Sequence, residues 1–567
     1  MASIIPKDIK KHRYYYYAES KRVNGKPRLV NQKYLGTAEA VLAKVLAADS
    51  PLDEQVLYSD VAEFGSVMLV YDIACRLDIV SIIDSILPKR KQGASVGTYI
   101  LTASINRATK PTSKSGLEEW YANTSLPMAL GFSPSVFTPQ NFWNNTHITE
   151  DKLDLIDEAI IEKVVDTYQI DTTHIIYDAT NFFTFINTTN NKSALAKRGH
   201  CKHKRNDLRI VGLSLMVSPD FSIPLLHEAY PGNDGDAKEF RVMVEKLKKR
   251  YDAITKTDSD VTIVFDRGNN SEDNIELLES GEFKLHYIGG LKKNQAVELY
   301  KIARSEYKPL ESPSLEGNSA YRKEMKIFGR DLTVVAVHNP ELEKGQMQGI
   351  VISREKTDLK MRALQNKLSL WANGDIKKGK RPTVASVSKI VGKFLSAEYM
   401  GDIFSYEVFE RDGNVYMIYN HSDEKLEQIR EMYLGKTVLF TDRNEFTNEQ
   451  IVSSYRSAWH VEAAFKQMKD THHLTVRPLF HWTDEKIRVH IYTCVLAYRL
   501  CCLLLKELYG HDINISINRM IDSMSEIKRV YTFLGDITKP KKIKSFSVGS
   551  DLGARIEAIY KLKEKYS

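Results

Sequence analysis

The pattern of apolar and polar positions divides the chain into segments of different secondary structure. Near the start, two strand-like stretches flank an Asn24-Gly25 pair, and both residues of that pair tolerate positive φ, which favours a β-hairpin. From about residue 56 to residue 169 the apolar positions recur at helical spacing, with turn-rich stretches such as ATKPTSKSG between them. The pattern predicts a small β element followed by a helical region.

After residue 170 the spacing of apolar residues becomes that of strands. HIIYDATNFFTFI, LRIVGLSLMVS and SIPLLHEAYPGN are three β-rich runs, and the helical stretch DAKEFRVMVEKLKKRYDAI follows them. A strand VTIVFDRG, a helix SEDNIELLESG and a strand KLHYIGGLKKN complete the series. Three strands, helix, strand, helix and strand predict an α/β fold with an RNase H-like mixed sheet.

Residues 295–448 interrupt this series. The strand-like pieces are KEMKIFGRDLTVVAVH, QGIVISRE, DIFSYEVFERDGNVYMIYNH and KTVLFTD, and they surround one helical stretch at 358–371. This region is predicted to be an inserted, mainly β subdomain. Long helices return after it, and a helical tail with a basic KPKKIK segment follows.

Composition and net charge say little about function, whereas the positions of the basic residues are more informative. A chain with 43% hydrophobic and 27% charged residues is typical of folded globular proteins, so disorder is not expected. The net charge of +7 permits a polyanionic partner without proving one. Basic residues cluster at 192–209, where Arg198 and Lys202 lie. A solvated loop is the alternative interpretation of this cluster.

The cysteines and the most apolar run bear on the cellular compartment. Five scattered cysteines without a paired framework fit a reducing environment, which predicts a cytoplasmic protein. The first residues lack the apolar core of a signal peptide. The run at 494–505 is short and Arg499 interrupts it, so we expect a buried helix and no membrane span.

Two aspartates lie in or directly after apolar strands. Asp178 interrupts HIIYDATNFF, and Asp266 follows VTIVF directly before Arg267. A single aspartate at a strand end is more often a turn residue or a helix cap. However, buried carboxylates need partners, and ligand-binding residues collect at strand ends of α/β sheets. The order of elements therefore favours two acids in one cleft, where carboxylates are suitable ligands for hard divalent cations.

Glu462 lies in a predicted long helix, NEFTNEQIVSSYRSAWHVEAAFKQMKDTHH. At about 100° per residue, its stripe also carries Tyr455, Trp459, Lys466 and Lys469. The adjoining apolar face consists of Ala458, Val461, Phe465 and Met468. A solvated Glu462/Lys466 pair is the alternative. The aromatic residues favour a face that contacts DNA, because Tyr and Lys donate to phosphate oxygens and Trp stacks on a displaced base.

These residues resemble a known family. The chain is similar to DDE transposases of bacterial and archaeal insertion sequences, in the group with a β-strand insertion before the glutamate and a Tyr-x2-Arg-x3-Glu-x6-Lys signature. The segment YRSAWHVEAAFKQMK places Tyr455, Glu462 and Lys469 at the family spacing. Ala458 occupies the signature Arg position, and Arg456 lies two residues earlier, about 160° away around a continuous helix. YDATNFF, RGHCKHKRND, IPLLHEAYPGN, FDRGN and RPLFHW also look like this family.

The resemblance implies a cut-and-paste transposase. Asp178, Asp266 and Glu462 would be the catalytic residues and would hold two Mg²⁺ ions, for which Mn²⁺ would substitute. A homodimer would bind the terminal inverted repeats, hydrolyse the 3′ ends and transfer them to target DNA. In the signature-bearing group a hairpin releases the other strand and aromatic residues hold a flipped base, a role that would fall to Trp459 and Tyr455. Predicted DNA contacts are Tyr455, Trp459, Lys466, Lys469, Arg198, Lys202 and Arg267.

This interpretation assigns a role to each segment of the chain. The predicted organisation is an N-terminal β element at 1–55, a helical DNA-binding domain at 56–169, the first part of the catalytic core at 170–294, the β-rich insertion at 295–448, the second part of the core with the glutamate helix at 449–510, and a C-terminal helical tail at 511–567.

Other functions have weaker support in the sequence. His200, Cys201 and His203 lack a fourth ligand at a usual zinc spacing, so a basic loop is favoured. His472-His473 is interpreted as a helix-end pair. No P-loop motif occurs, so a nucleotide cofactor is not expected, and neither is a membrane partner. The open alternatives are a catalytically silent DNA-binding protein derived from a transposase, and a nuclease without strand transfer.

Overall fold

The computed structural model describes residues 2–9, 12–23, 26–38, 40–41, 56–88, 93–199, 205, 207–255, 260–535, 538 and 540–567. The described residues form two compact units. The first comprises those within 1–172, 178–259 and 460–567, and the second those within 173–177 and 260–459.

The chain alternates between strands and helices along its whole described length. The strands are β1 (Ala2–Ile9), β2 (His12–Val23), β3 (Lys26–Thr37), β4 (Val56–Glu63), β5 (His174–Phe183), β6 (Ile210–Val217), β7 (Pro224–Pro231), β8 (Thr262–Phe265), β9 (His286–Gly290), β10 (Lys308–Pro309), β11 (Ser319–Ile327), β12 (Arg330–His338), β13 (Phe404–Arg411), β14 (Asn414–His421), β15 (Lys436–Thr441), β16 (Lys528–Leu534) and β17 (Lys541–Phe546). The helices are α1 (Gly65–Arg76), α2 (Ile79–Ile86), α3 (Val96–Thr109), α4 (Leu117–Ala122), α5 (Leu126–Leu130), α6 (Pro139–Asn145), α7 (Glu150–Tyr168), α8 (Asp236–Lys249), α9 (Tyr251–Ile254), α10 (Glu272–Glu279), α11 (Val297–Tyr300), α12 (Pro340–Ala372), α13 (Val384–Phe394), α14 (Met400–Ile403), α15 (Asp423–Tyr433), α16 (Asn448–Arg456), α17 (Trp459–Lys469), α18 (Asp484–Tyr509), α19 (Ile517–Ser525), α20 (Asp551–Tyr560) and α21 (Leu562–Lys565).

Helix α18 forms the centre of the first unit. Its length and composition would suit a membrane span, yet 94% of its most apolar window is buried inside the protein. It packs against α3, α7 and β7 of the same unit. Arg499 on this helix is completely buried and forms an ion pair with Asp157 at 2.9 Å. The prediction that 494–505 belongs to a buried helix is therefore confirmed.

Three sheets belong to the first unit. One has the order β1-β2-β3, a second has the order β17-β16-β4, and the third set of strands, residues 178–183 of β5 with β6 and β7, is the end of a nine-stranded sheet. Strands β2 and β3 are antiparallel with Val23 opposite Lys26, which confirms the predicted hairpin strands. The Asn24-Gly25 turn itself lies outside the described residues.

The second unit contains a larger mixed sheet and a separate hairpin, β13-β14. The mixed sheet has the order β10-β11-β12-β15-β9-β8 and continues into residues 174–177 of β5. Strand β8 is parallel to both β5 and β9, whereas β15 is antiparallel to β9. The elements β5, β6, β7, α8, β8, α10 and β9 follow one another as predicted, with the short α9 after α8. The α/β fold with a mixed sheet is confirmed.

The inserted region is more helical than its sequence pattern predicted. The strand prediction for QGIVISRE is wrong, because α12 covers residues 340–372. Its buried positions Ile350, Thr357, Met361 and Leu368 recur at seven- and four-residue intervals, which is helical spacing. The Asn339 side chain caps this helix by accepting from two backbone amides of its first turn.

Two further elements differ from the predictions. Residues 56–63 form strand β4, not part of the helical domain, because β4 pairs with β16 about 470 residues later in the chain. The C-terminal region is helical apart from β16 and β17. A local pattern does not reveal such distant pairing, so the helical predictions for β4, β16 and β17 were wrong.

Candidate active site

Asp178 lies in β5 on the face of the strand that meets helix α17. Alternate residues of a strand share a face, so Thr180 and Phe182 point the same way as Asp178. Lys469, at the end of α17, donates a hydrogen bond to the Thr180 hydroxyl. Its Nζ also lies 5.5 Å from the centroid of the Phe182 ring. Lys469 therefore ties α17 to the strand face that carries Asp178.

Glu462 lies on α17, two helical turns before Lys469. The apolar face of this helix is buried as predicted, with Val461, Phe465 and Met468 in the core. The opposite face exposes Glu462 and Lys466. Because seven residues make nearly two complete turns, Glu462 and Lys469 lie on the same side, about 10 Å apart along the helix axis.

The long glutamate helix of the sequence interpretation is divided in the structure. Helix α16 ends at Arg456, and α17 begins at Trp459, with a turn at 457–458. Trp459 is 58% exposed at the start of α17. The proposed continuous stripe from Tyr455 to Lys469 is therefore wrong, since Tyr455 and Glu462 lie on different helices.

Arg456, two residues before Ala458, is held by hydrogen bonds at the end of α16. In the second unit, its guanidinium donates to the Asn318 side-chain oxygen at 2.8 Å and to the Ser314 carbonyl at 3.4 Å. Ala458 lies in the turn after α16. Arg456 thus anchors the end of α16 to the segment before β11.

Asp266 and Tyr455 form a hydrogen-bonded pair in the second unit. Asp266 follows β8 directly and is exposed, and the Tyr455 hydroxyl donates to its Oδ1 at 3.1 Å. Burial first, and then the carboxylate of Asp266, raise the pKa of Tyr455. The phenol therefore remains protonated and acts as a donor at neutral pH. A Cβ at Gly290 would lie 2.6 Å from the Tyr455 hydroxyl, so this close approach requires glycine.

The sequence interpretation missed a group of acids around Tyr230. Burial raises the pKa of the Tyr230 phenol, and nearby Asp236, Glu239, Asp178 and Asp234 raise it further. The ring packs against the backbone of Gly212, where a Cβ would lie 2.2 Å from it. The three acids other than Asp178 follow β7 or begin α8, so no apolar run marks them in the sequence. Asp178 therefore shares the surroundings of Tyr230 with three other acids.

Glu239 is a buried acid of this group. It is 3% exposed, and burial followed by the charge of Asp234 raises its pKa to about 7. A carboxyl group whose pKa is raised on folding binds more protons in the folded state between its two pKa values. The contribution of Glu239 to the free energy of unfolding therefore decreases as pH rises from about 4.5 to 7.

We expect Glu239→Gln to stabilise the protein above neutral pH. The free energy of unfolding should rise at about pH 8, on the order of 2 to 3 kcal/mol. The difference should disappear near pH 4.5. Urea unfolding at both pH values measures this effect, with Glu245→Gln on the exposed side of the same helix as the control. The same pH dependence in both variants would contradict the assignment.

The basic residues predicted to contact DNA lie in different parts of the structure. Arg267 is exposed in the short turn after Asp266, and Lys466 is exposed on α17. Arg198 is exposed and lines a depression of about 410 Å³ together with Arg209. Lys202, like His200, Cys201 and His203 of the considered zinc group, lies outside the described residues.

His472 and His473 lie beyond the end of α17, as interpreted from the sequence. Their Nε2 atoms lie 3.3 and 3.0 Å from Oδ1 of Asp522 on α19. His473 is 5% exposed. Both rings are therefore engaged by one carboxylate in the first unit, which joins the segment after α17 to α19.

Comparison with known proteins identifies the family of this chain. Residues 170–500 match the family described as "Transposase DDE domain". This chain belongs to that family, because the match covers more than half of it. The chain is also similar to a solved structure titled "Cryo-EM structure of piggyBac transposase synaptic complex with hairpin DNA (SNHP)", at 11% identity and a TM-score of 0.38, over 81% of this chain and 79% of that chain. No curated protein sequence matches it.

Proposed function

We propose that this protein is the transposase of a prokaryotic insertion sequence. It binds the terminal inverted repeats, cleaves the 3′ ends of the element and joins them to target DNA. The observation that carries this proposal is the family match over residues 170–500, which contains Asp178, Asp266 and Glu462. We assign the catalytic role to these three acids.

The chemistry of the three acids suits two Mg²⁺ ions, with Mn²⁺ as a substitute. Each residue offers carboxylate oxygens, the ligands that hard cations prefer. Asp266 and Glu462 are exposed, so their oxygens are accessible to a ligand. Strands β5 and β8 are parallel, and their last register pair is Tyr177 opposite Phe265, which directly precede Asp178 and Asp266. When bound, two divalent ions supply an activated nucleophile and stabilise the leaving oxygen.

Other side chains of the proposed site hold the acids and contact DNA. Tyr455 orients the Asp266 carboxylate through its hydrogen bond. Lys469 fixes α17 against the strand of Asp178. Lys466, Trp459, Arg267, Arg198 and Lys202 are the remaining proposed DNA contacts. Lys466, Arg267 and Arg198 are each exposed, and such cations suit phosphate oxygens.

The proposed partners follow from the reaction. The protein would act on two transposon ends and one target DNA, so we propose a homodimer in the complex that joins them. It would work in the prokaryotic cytoplasm, where the DNA is. We also propose that Trp459 and Tyr455 hold a base that is flipped out of the DNA duplex.

The direct test is an assay with purified protein and the DNA ends that flank its gene. We expect 3′-end cleavage of a terminal inverted repeat in Mg²⁺ or Mn²⁺, and joining of pre-cut ends to a plasmid. Binding without cleavage would instead identify a silent DNA-binding protein. Cleavage without joining would identify a nuclease. Either of these two results would overturn the proposed function.

Tyr455→Phe is expected to slow cleavage about tenfold, because Asp266 loses its orienting hydrogen bond. The free energy of unfolding should change by less than about 1 kcal/mol, since the ring remains in place. Tyr406→Phe, which removes the hydroxyl of a 40% exposed tyrosine, is the matched control. Equal cleavage rates of the two variants would show that the Tyr455 hydroxyl does not act on the site.

A further inference from the structure

A cavity of about 630 Å³ lies in the first unit, apart from the proposed catalytic acids. Its walls come from the segment after α3, from α6, from the end of β5, from the segment before α18 and from the start of α18. The volume falls in the range of small-ligand sites. Neither Tyr455 nor Trp459 contributes to its lining.

The lining of this cavity is strongly basic. It includes the cationic side chains Arg107, Lys114, Arg477 and Lys486, and none of the described residues that line it is Asp or Glu. Two acids adjoin Lys486 in sequence, but each has another partner. Asp484 accepts hydrogen bonds from the Ser193 hydroxyl and from the amides of 194 and 195, and Glu485 pairs with His147 at 2.8 Å.

Lys114 is the most unusual of these cations. It is 8% exposed, and its Nζ lies 4.9 Å from the centroid of the Phe142 ring. No carboxylate of the described chain forms an ion pair with it. Burial, followed by the charge of Arg107, lowers the pKa of Lys114 to about 7. A buried cation without a counter-charge is costly, so an anion in this cavity would offset that cost.

Two histidines in this cavity have lowered pKa values because of burial and the same positive surroundings. His481 and His490 line the cavity with their ring centroids 4.4 Å apart. Burial, followed by the charge of Lys114, lowers the pKa of His481 to about 3. Burial, followed by the charge of His481, also lowers the pKa of His490. Both imidazoles therefore remain neutral at physiological pH, as expected for buried rings beside Lys114 and Arg107.

Exposed aromatic rings surround this basic interior. Phe185, Phe480 and Trp482 are 45%, 57% and 44% exposed, although large apolar rings are usually buried. The Phe185 and Phe480 centroids are 5.4 Å apart. Lys486 Nζ lies 4.9 Å from the Trp482 centroid and 5.3 Å from that of Trp143. Exposed rings next to cations are the combination that binds single-stranded nucleic acid, because bases stack on rings and phosphates meet cations.

We propose that this cavity binds an unpaired stretch of DNA, with a backbone phosphate against Lys114 and Lys486 and a base against Trp482 and Phe480. The proposal rests on the proposed function, since the DNA would be that of the transposition reaction. Binding of single-stranded DNA is nevertheless measured without cleavage. A failure of this proposal is therefore distinguishable from a failure of the catalytic one.

The test is binding of a short dye-labelled oligo(dT) to the full-length protein, measured by fluorescence anisotropy. Trp482→Ala should weaken binding about tenfold or more, since one stacked base contributes that much. Lys114→Met should weaken it by about the same factor, because the phosphate loses a charged hydrogen-bond donor. Lys152→Met, which removes an exposed lysine of α7, should bind like the wild type. Lys114→Met should also raise the midpoint of thermal unfolding, because it removes a buried charge that has no counter-charge among the described residues. Weaker binding by this variant would therefore not result from unfolding.

Competition experiments distinguish a nucleotide site from a simple anion site. Thymidine monophosphate should displace the labelled DNA at a lower concentration than inorganic phosphate or thymidine alone. Equal competition by inorganic phosphate would overturn the proposal, as would wild-type affinity of both cavity variants. A loss of duplex binding equal to the loss of oligo(dT) binding would also overturn it, because the site would then not select unpaired DNA.

Discussion

Asp178→Asn, Asp266→Asn and Glu462→Gln are each expected to reduce metal-dependent cleavage of the element ends by roughly a thousandfold or more. Each change keeps the size of the side chain but removes the negative charge that a divalent ion requires. The effect should exceed that of Tyr455→Phe, which removes only a hydrogen bond to one of the acids. Single-turnover cleavage of a labelled terminal repeat measures it.

The controls for these variants address folding and DNA binding. Glu245→Gln removes an exposed carboxylate of α8 and should cleave at the wild-type rate. The three catalytic variants should still bind the terminal repeat without metal, because the basic contacts remain. Cleavage within about tenfold of the wild type by any of the three would remove that residue from the catalytic set.

Asp157→Ala is expected to cause the largest loss of stability, about 3 to 5 kcal/mol. Asp157 is 1% exposed and contacts the buried Arg499 at 2.9 Å, His227 at 3.2 Å and Arg250 at 3.4 Å. Removing the carboxylate leaves the guanidinium of Arg499 in the core of the first unit, where it also donates to the Pro224 carbonyl. Urea unfolding at neutral pH measures the change.

Comparison with two other variants separates lost charge pairing from lost volume. Asp151→Ala lies on the exposed face of the same helix and should cost less than about 0.5 kcal/mol. The double variant Asp157→Leu with Arg499→Met should be less destabilised than Asp157→Ala, because both charges leave together. If the double variant is the less stable of the two, the pairing is not what stabilises this core.

The Asp157 cluster also makes the free energy of unfolding depend on pH in the acid range. Burial alone would raise the pKa of Asp157, but Arg499, His227 and Arg250 together lower it well below its usual value. A carboxyl group with a lowered pKa stabilises the folded state above its unfolded pKa of about 3.9 and loses that contribution as pH falls below it. The wild type should therefore lose stability in this acid range more steeply than Asp157→Ala.

The sequence by itself determined the succession of strands and helices around the proposed catalytic acids. Asp178 and Asp266 interrupt or follow apolar runs, and such runs reveal buried strands because alternation and hydrophobicity are local properties. The apolar face of α17 was predicted for the same reason.

Only the tertiary structure decided which distant residues meet. The β4-β16 pairing and the Asp157–Arg499 ion pair each join segments more than 300 residues apart, and no local pattern encodes such contacts. The single helix predicted around Glu462 is two helices in the structure, α16 and α17. Tyr455 lies on α16, where its hydroxyl contacts Asp266. Lys114 is an ordinary lysine in the sequence, and only folding buries it among cations and rings, because burial depends on every segment that packs around it.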